Sequence, residues 1–145
     1  MKYPKYPVVA SSDYQMYFFF SDGPQGRILK GVIYSQIEGN LYNLSFGDWK
    51  EEVKGLDDSS RSNNGDRNLI LTTVADTVLD FTEQFPDARI FIEGSTNART
   101  RLYQIGIFHN LLEINKHFVI LGSIGDDWEE FQACRNYDAF LIKRK

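Results

Sequence analysis

Residues 89–103, RIFIEGSTNARTRLY, pass abruptly from apolar to small polar and then basic side chains. The apolar start is short and bounded by a glycine, which predicts a buried strand over Arg89–Glu93. Ser95 and Thr96 can accept hydrogen bonds from the free N–H groups of a helix start, so a helix is predicted from about Thr96 to Leu112. Arg99 and Arg101 would lie in its first turns.

This helix has an apolar face in the sequence, and that face is expected to pack on the core. The histidine on it is expected to be a core or boundary residue, because intermediate burial is typical of histidine. The face consists of Ala98, Leu102, Ile105, His109 and Leu112.

An earlier helix is predicted over Leu69–Gln84, where one apolar stripe recurs at helical spacing. Asp66 or Asn68 is expected to cap its start, and Phe85-Pro86 ends it because proline disfavours helical geometry in the preceding residue. The stripe consists of Ile70, Val74, Val78 and Phe81.

Three strands precede this helix, and the short turns between them predict an antiparallel meander. Two further strands are predicted near the end of the sequence. The five segments are Gln15–Ser21, Arg27–Gln36, Leu41–Trp49, Phe118–Ser123 and Ala139–Lys143.

Two segments between these elements are polar. Residues 50–68 form a long connection, which is either a mobile surface loop or a functional one. Residues 126–137, DDWEEFQACRNY, are expected to hold one or two helical turns.

The element order is a three-strand meander, then helix, strand, helix, strand and strand. This order predicts an α+β fold with a mostly antiparallel sheet and both long helices packed against it. A chain of 145 residues is the size of one domain, here 1–145.

Composition excludes several classes of function. A net charge of −4 disfavours nucleic acid as the main partner, since phosphate backbones are bound by clustered Lys and Arg. No apolar run approaches the ~18 residues that span a membrane, and a single cysteine, Cys134, fits a cytoplasmic protein. No Cys/His cluster has the spacing of a metal site.

The two segments before the helices form the candidate site. Helix N-termini attract anions, and both helices would leave the same end of adjacent strands. Because positions 99 and 101 do not share a helix face, one arginine is expected to point into the cleft. The alternative is that both segments are only turns and helix caps. The candidate ligand-binding residues are Asn64, Gly65, Arg67, Ser95, Thr96, Arg99 and Arg101.

Four stretches resemble an uncharacterised family of small bacterial proteins: YNLSFGD (42–48), SNNGD (62–66), LILTTVADTVLDF (69–81) and GSTNARTRLY (94–103). The resemblance covers most of the chain. It implies a shared fold and a shared site but names no reaction.

The element order is also similar to that of the GCN5-related N-acetyltransferase superfamily, and Asn97, Ala98, Leu102, Tyr103 and Gly106 echo its second helix. The resemblance implies an acetyl-CoA cofactor, with pyrophosphate at residues 64–67, pantetheine between diverging strands and Tyr103 as general acid. In RSNNGD (61–66) the glycine comes one place later than in the family's cofactor loop, and an aspartate replaces a small residue.

These features favour a binding module on an acetyltransferase-like scaffold, which holds a partner protein or a small anionic ligand at the loops before its helices. The alternative is an acyl-CoA-dependent N-acyltransferase. The apolar run YFFF (17–20) suits a strand buried on both faces or one covered by a second subunit, so a homodimer is a further expectation.

Overall fold

The computed structural model describes residues 1–57 and 64–145. Within these ranges the chain forms one sheet of nine strands and three helices. The strands are β1 (Val9–Ala10), β2 (Met16–Gly23), β3 (Gly26–Glu38), β4 (Leu41–Lys50), β5 (Gly55–Asp57), β6 (Arg89–Ile92), β7 (Phe118–Ile124), β8 (Asp127–Glu130) and β9 (Ala139–Arg144). The helices are α1 (Arg67–Gln84), α2 (Asn97–His109) and α3 (Leu111–His117).

The strands lie in the order β1-β2-β3-β4-β6-β9-β7-β8, and β5 pairs with β4. All neighbouring pairs are antiparallel except β4 with β6, which are parallel. The predicted α+β class, the meander of β2, β3 and β4 and the mostly antiparallel sheet are therefore confirmed. The strands β4 and β6 can pair in parallel because α1, which lies between them in the sequence, returns the chain to the end of the sheet at which β4 begins.

One face of the sheet carries the core, because alternate residues of a strand point to the same side. On β4 the alternation places Tyr42, Leu44 and Phe46 in the core, as the sequence predicts. Helix α1 covers this face with its predicted stripe of Ile70, Val74, Val78 and Phe81, all buried. The ring of Phe81 stacks on Tyr34 with centroids 4.0 Å apart.

Three strands were not predicted. The two-residue β1 is too short to leave a pattern. The polar connection 50–68 contains β5, and 126–137 contains the strand β8 where helical turns were expected. Both β5 and β8 lie at edges, where polar and acidic side chains are tolerated because one side of the strand faces solvent.

The apolar face predicted for the second helix is wrong for three of its five residues. Leu102 packs partly buried against the core, and His109 has the intermediate burial that was expected. Helix α2 instead buries Thr100, Tyr103, Gln104 and Ile107, whereas Ala98, Ile105 and Leu112 are exposed. The two polar side chains are satisfied inside the protein. The Thr100 hydroxyl accepts from the Gly94 N–H, and the Gln104 amide donates to the Arg135 carbonyl and accepts from the Tyr137 N–H.

The single helix predicted over Thr96–Leu112 is two helices separated by Asn110. The side chain of Asn110 is buried, donates to the Gly106 carbonyl and accepts from the Thr72 hydroxyl of α1. A buried amide that competes with the backbone in this way favours a break in a helix. The segment then continues as α3 up to His117, and β7 begins at Phe118.

The aromatic run of β2 is covered mainly within the chain. Tyr17 and Phe19 are buried in the core. On the opposite face Phe18 meets Trp49 edge-to-face at 5.1 Å, and the guanidinium of Arg27 lies over Phe20 at 4.1 Å. The run therefore gives no ground for a second subunit. None of the helices in the described ranges is long and apolar enough to cross a membrane.

Gly94 sets the distance between the end of β6 and the start of α2. A β-carbon on Gly94 would lie 2.6 Å from the carbonyl carbon of Arg99, which is backbone and cannot rotate away. We expect Gly94→Ala to lower the free energy of unfolding by about 1–3 kcal/mol, since α2 must shift. Chemical denaturation measures this, with Gly55→Ala as the control because its β-carbon would meet nothing nearer than 3.8 Å. Equal stability of the two variants would contradict the close approach.

Candidate functional site

Within residues 1–57 and 64–145, the strand pairing along one edge of β4 has a gap, and the site begins there. On that edge β4 pairs with β6 at Leu41–Leu44 and with β5 at Asp48–Lys50. Residues 45–47 lie between the two partners and pair with neither. A strand backbone at such a gap needs other hydrogen-bond partners, because buried N–H and C=O groups are rarely left unpaired.

Side chains of α2 close this gap. The hydroxyl of Tyr103 accepts from the Phe46 N–H at 3.2 Å, and the guanidinium of Arg99 donates to the Phe46 carbonyl at 2.6 Å. Arg99 also lies over the ring of Phe46, 5.2 Å from its centroid. These contacts fix the first turns of α2 against β4.

A cleft of about 830 Å³ opens beside the gap. Its floor is formed by β3 and β4, and its walls are formed by the starts of α1 and α2 and by Asp57 of β5. Among the described residues, the charged side chains that line it are Lys30, Asp48, Asp57, Asp66, Arg67 and Arg99. The two predicted segments therefore converge on one cleft.

The start of α1 carries no side-chain cap in the described residues. Asp66 occupies the cap position, but its carboxylate makes no capping hydrogen bond to the helix. One carboxylate oxygen, Oδ2, instead accepts from the hydroxyls of Tyr6 and Ser21, at 2.5 Å and 2.6 Å. Burial and this hydrogen bond to Asp66 raise the pKa of the Tyr6 hydroxyl. The carboxylate of Asp66 thus lies at the start of α1 without capping its N–H groups.

Asn64 fixes the segment that leads into α1. Its buried amide donates to the carbonyls of Ser21 and Gly26, at 3.3 Å and 2.9 Å, and accepts from the Gln25 N–H at 2.7 Å. These partners belong to the β2–β3 hairpin. The side chain of this candidate residue therefore ties the segment to the hairpin, and Asn64 borders the cleft from that position.

Only some of the other candidate residues line the cleft. Gly65, with a φ of 72°, does so, together with Arg67 and Arg99. Thr96 caps α2 by accepting from the Arg99 N–H at 3.2 Å, and Ser95 is exposed outside the cleft lining. Residues 58–63, which include Arg61 and Ser62 of the stretch RSNNGD, lie outside the described residues.

Arg101 points away from the cleft, so the two arginines separate as their spacing predicts. Its guanidinium donates to the Tyr137 carbonyl and to the side chain of Gln104. Arg101 therefore fixes the segment before β9 and does not line the cleft.

Lys30 and Asp48 are site residues that sequence reasoning missed. They are cross-strand neighbours on β3 and β4, both are buried, and the ammonium of Lys30 donates to the carboxylate of Asp48. Asp57 continues this row on β5, opposite Asp48. The only signal in the sequence was that a lysine and an aspartate occupy inward positions of two apolar strands. Side chains of these two types are rarely buried unless they are paired.

Comparison with known proteins places the chain in a family. Residues 2–145 match the model described as "Family of unknown function (DUF6934)". The chain belongs to this family. This confirms the expected likeness to an uncharacterised family. No curated protein matches the chain, and no solved structure matches it.

Tyr103 combines packing with the hydrogen bond to β4. It is buried, and its ring meets Phe46 edge-to-face at 5.3 Å. Its proposed role as an acid stays a prediction. Among the described residues, no group of three or more His, Cys, Asp or Glu side chains is placed to hold a metal ion.

Removing the Asn64 amide tests how strongly the β2–β3 hairpin stabilises the segment that leads into α1. Asn64→Ala leaves the Gln25 N–H and the Gly26 carbonyl without this partner, so we expect the free energy of unfolding to fall by about 2–4 kcal/mol. Urea denaturation measures the loss. Asn68→Ala, at an exposed position in the first turn of α1, is the control and should stay within about 0.5 kcal/mol of the parent. If Asn64→Ala also lowered the free energy of unfolding by about 0.5 kcal/mol or less, the hydrogen bonds of Asn64 to the hairpin would not stabilise the protein as expected.

Proposed function

We propose that this protein is a binding module that holds a small anion in the cleft between the starts of α1 and α2. The observation that carries the proposal is the position of Arg67 and Arg99, which come from two different helices and line the same cleft. Two guanidinium groups beside one cavity favour a phosphate or a carboxylate, because each can donate several hydrogen bonds to it.

Arg99 is held ready for such a ligand. Its contacts with the carbonyl and the ring of Phe46 fix the side chain, so little rotamer freedom is left to lose on binding. A guanidinium has five N–H donors, and among the described residues only Phe46 takes one from the Arg99 side chain. The side chain of Arg67 makes no hydrogen bond or ion pair within residues 1–57 and 64–145.

The acidic side chains of the cleft limit where the anion can lie. Asp48 and Asp57 are neighbours at the β4–β5 end, where they repel an anion, and Lys30 pairs with Asp48 there. The helix starts are the favourable end, with Arg67, Arg99 and the dipole of α1. The Asp66 carboxylate also lies there, and its Oδ2 accepts from the hydroxyls of Tyr6 and Ser21. An elongated ligand would therefore place its anionic group between the helices.

Inorganic phosphate is the first probe, followed residue by residue in an amide-resolved NMR titration. We expect saturable shifts at residues 64–70 and 98–102. Arg99→Gln should weaken binding by about 10- to 150-fold, because a hydrogen bond to a charged group contributes about 1.5–3 kcal/mol. Arg101→Gln is the matched control on the same helix, and its affinity should equal that of the parent.

Two results would contradict this proposal. One is the absence of saturable shifts at these residues in the parent protein. The other is an equal loss of affinity in Arg99→Gln and Arg101→Gln while both variants keep the parent's spectrum elsewhere.

The second candidate is an acyl-CoA-dependent N-acyltransferase. It is favoured by the parallel pairing of β4 with β6, which stops at Leu44 and Ile92 and so resembles the diverging strands between which acetyltransferases place pantetheine. The same edge of β4 is occupied further along by β5 and by the side chains of Arg99 and Tyr103. A pantetheine arm would have to displace these partners, which makes the anion-binding module the better-supported function.

Acetyl-CoA separates the two candidates. If the protein is a transferase, acetyl-CoA shifts the amides of residues 45–57 as well as those of the helix starts, and an amine is acetylated. Tyr103→Phe should then lose turnover, and its stability should fall by about 1–3 kcal/mol because the buried Phe46 N–H loses its acceptor. Phosphate binding with no response to acetyl-CoA along β4 and β5 supports the anion-binding module alone.

A further inference from the structure

One carboxylate oxygen in the wall of the cleft lacks a hydrogen-bond partner. Asp66 lines the cleft at the start of α1. Its Oδ2 accepts from the hydroxyls of Tyr6 and Ser21, at 2.5 Å and 2.6 Å. Its Oδ1 is buried and accepts no hydrogen bond within residues 1–57 and 64–145. Such atoms are rare in folded proteins, because a buried acceptor without a donor is destabilising, and more so when it is charged.

The arginines of the cleft do not supply the missing donor. Within the part of the chain that the structure describes, Arg67 and Arg99 line the same cleft without forming an ion pair with Asp66. Tyr6 and Ser21 do not line the cleft, so the carboxylate lies between these two hydroxyls and the cleft. Two guanidinium groups and a carboxylate oxygen that needs a donor therefore border one space.

This combination favours a ligand group that is anionic and still carries a proton. A cation would satisfy Asp66 but would meet two guanidinium groups. A fully ionised anion would satisfy the guanidinium groups, but its charge would lie against that of Asp66 and be repelled. A protonated oxyanion avoids both conflicts. Its ionised oxygens accept from the arginines, and its O–H donates to the carboxylate in a charge-assisted hydrogen bond.

The number of ligand oxygens favours phosphate over a carboxylate. A carboxylate has two oxygens, and two guanidinium groups can occupy both of them. Hydrogen phosphate has four oxygens, one of which bears the proton. It can therefore bond to Arg67, Arg99 and Asp66 at the same time.

We propose that the cleft binds a hydrogen phosphate group, and that Asp66 selects this group by accepting a hydrogen bond from its O–H. This rests on the anion-binding function proposed above and adds the identity of the anion. Asp66 is then a residue that determines specificity. Free phosphate and a phosphate monoester that retains one proton both offer the same group.

Sulfate is the probe that isolates the proton. It has the tetrahedral shape of hydrogen phosphate and, at about pH 8, the same charge, but it carries no proton. In parallel amide-resolved NMR titrations we expect phosphate to bind about 10- to 150-fold more tightly than sulfate, which is the factor given by one hydrogen bond to a charged group. This comparison uses the parent protein, so it does not depend on how a substitution affects folding.

Asp66→Asn tests the assigned residue. The amide oxygen still accepts from Tyr6 and Ser21, and the amide NH₂ can donate to either anion. We expect sulfate to bind this variant within about threefold of phosphate. Asp22→Asn is the matched control, because it removes a carboxylate that is 65% exposed and lies outside the cleft lining. Its preference for phosphate should equal that of the parent.

Glycerol 3-phosphate distinguishes the two sources of the group. At about pH 6 roughly half of a phosphate monoester retains the second proton. Tighter binding than that of phosphate at this pH, with further shifts along β4, would assign the group to a larger ligand. Weaker binding would assign it to free phosphate. Both results support a hydrogen phosphate ligand.

Three results count against the inference. Equal affinity of the parent for phosphate and sulfate would overturn it and leave the anion-binding function intact. A preference for phosphate that Asp66→Asn retains would also overturn it, because the selectivity would then come from another group. No saturable response to either anion would overturn the anion-binding function and this inference together.

Discussion

The structure depends on the edge of β4 that faces away from β3, because two strands share it. Two partners, β6 and β5, use the two ends of this edge, and the backbone of Phe46 lies between them. Because Arg99 and Tyr103 both bond to Phe46, the start of α2 is fixed against β4 and not only against its own preceding strand. The cleft exists because α2 is held there, opposite the start of α1. A continuous β4–β6 pairing would leave no room for it.

The parts of the fold that could be predicted are those in which apolar residues recur at a regular spacing. Ile70, Val74, Val78 and Phe81 identified both α1 and its buried face, since each of them lies in the core. The alternation of β4 was equally informative. In both cases the burial is decided by side chains that need no specific partner.

Helix α2 shows where this reasoning stops. Thr100 and Gln104 can be buried because they bond to the Gly94 N–H and to the Tyr137 N–H. Periodicity detects apolar faces only, so it cannot identify polar side chains that are buried with such partners. The same limit applies at the site. That two helix starts meet at one cleft could be predicted from the strand order, but the rotation of Asp66 toward Tyr6 could not, because those residues are 60 positions apart.

The position of β9 has a consequence for how the protein is made. Along the sheet β9 lies between β6 and β7, yet along the sequence it follows every other strand. A nascent chain that has reached Glu130 has no strand to join β6 to β7, and its sheet is in two parts. Hairpins form in about 1–10 μs, far faster than a ribosome adds residues, so the β1–β6 part can form its hairpins early while the edge of β6 stays open. The strand that joins the two parts of the sheet is thus synthesised after both of them. A nascent chain stalled before Ala139 would expose the unpaired edge of β6 to chaperones and to other unfinished chains.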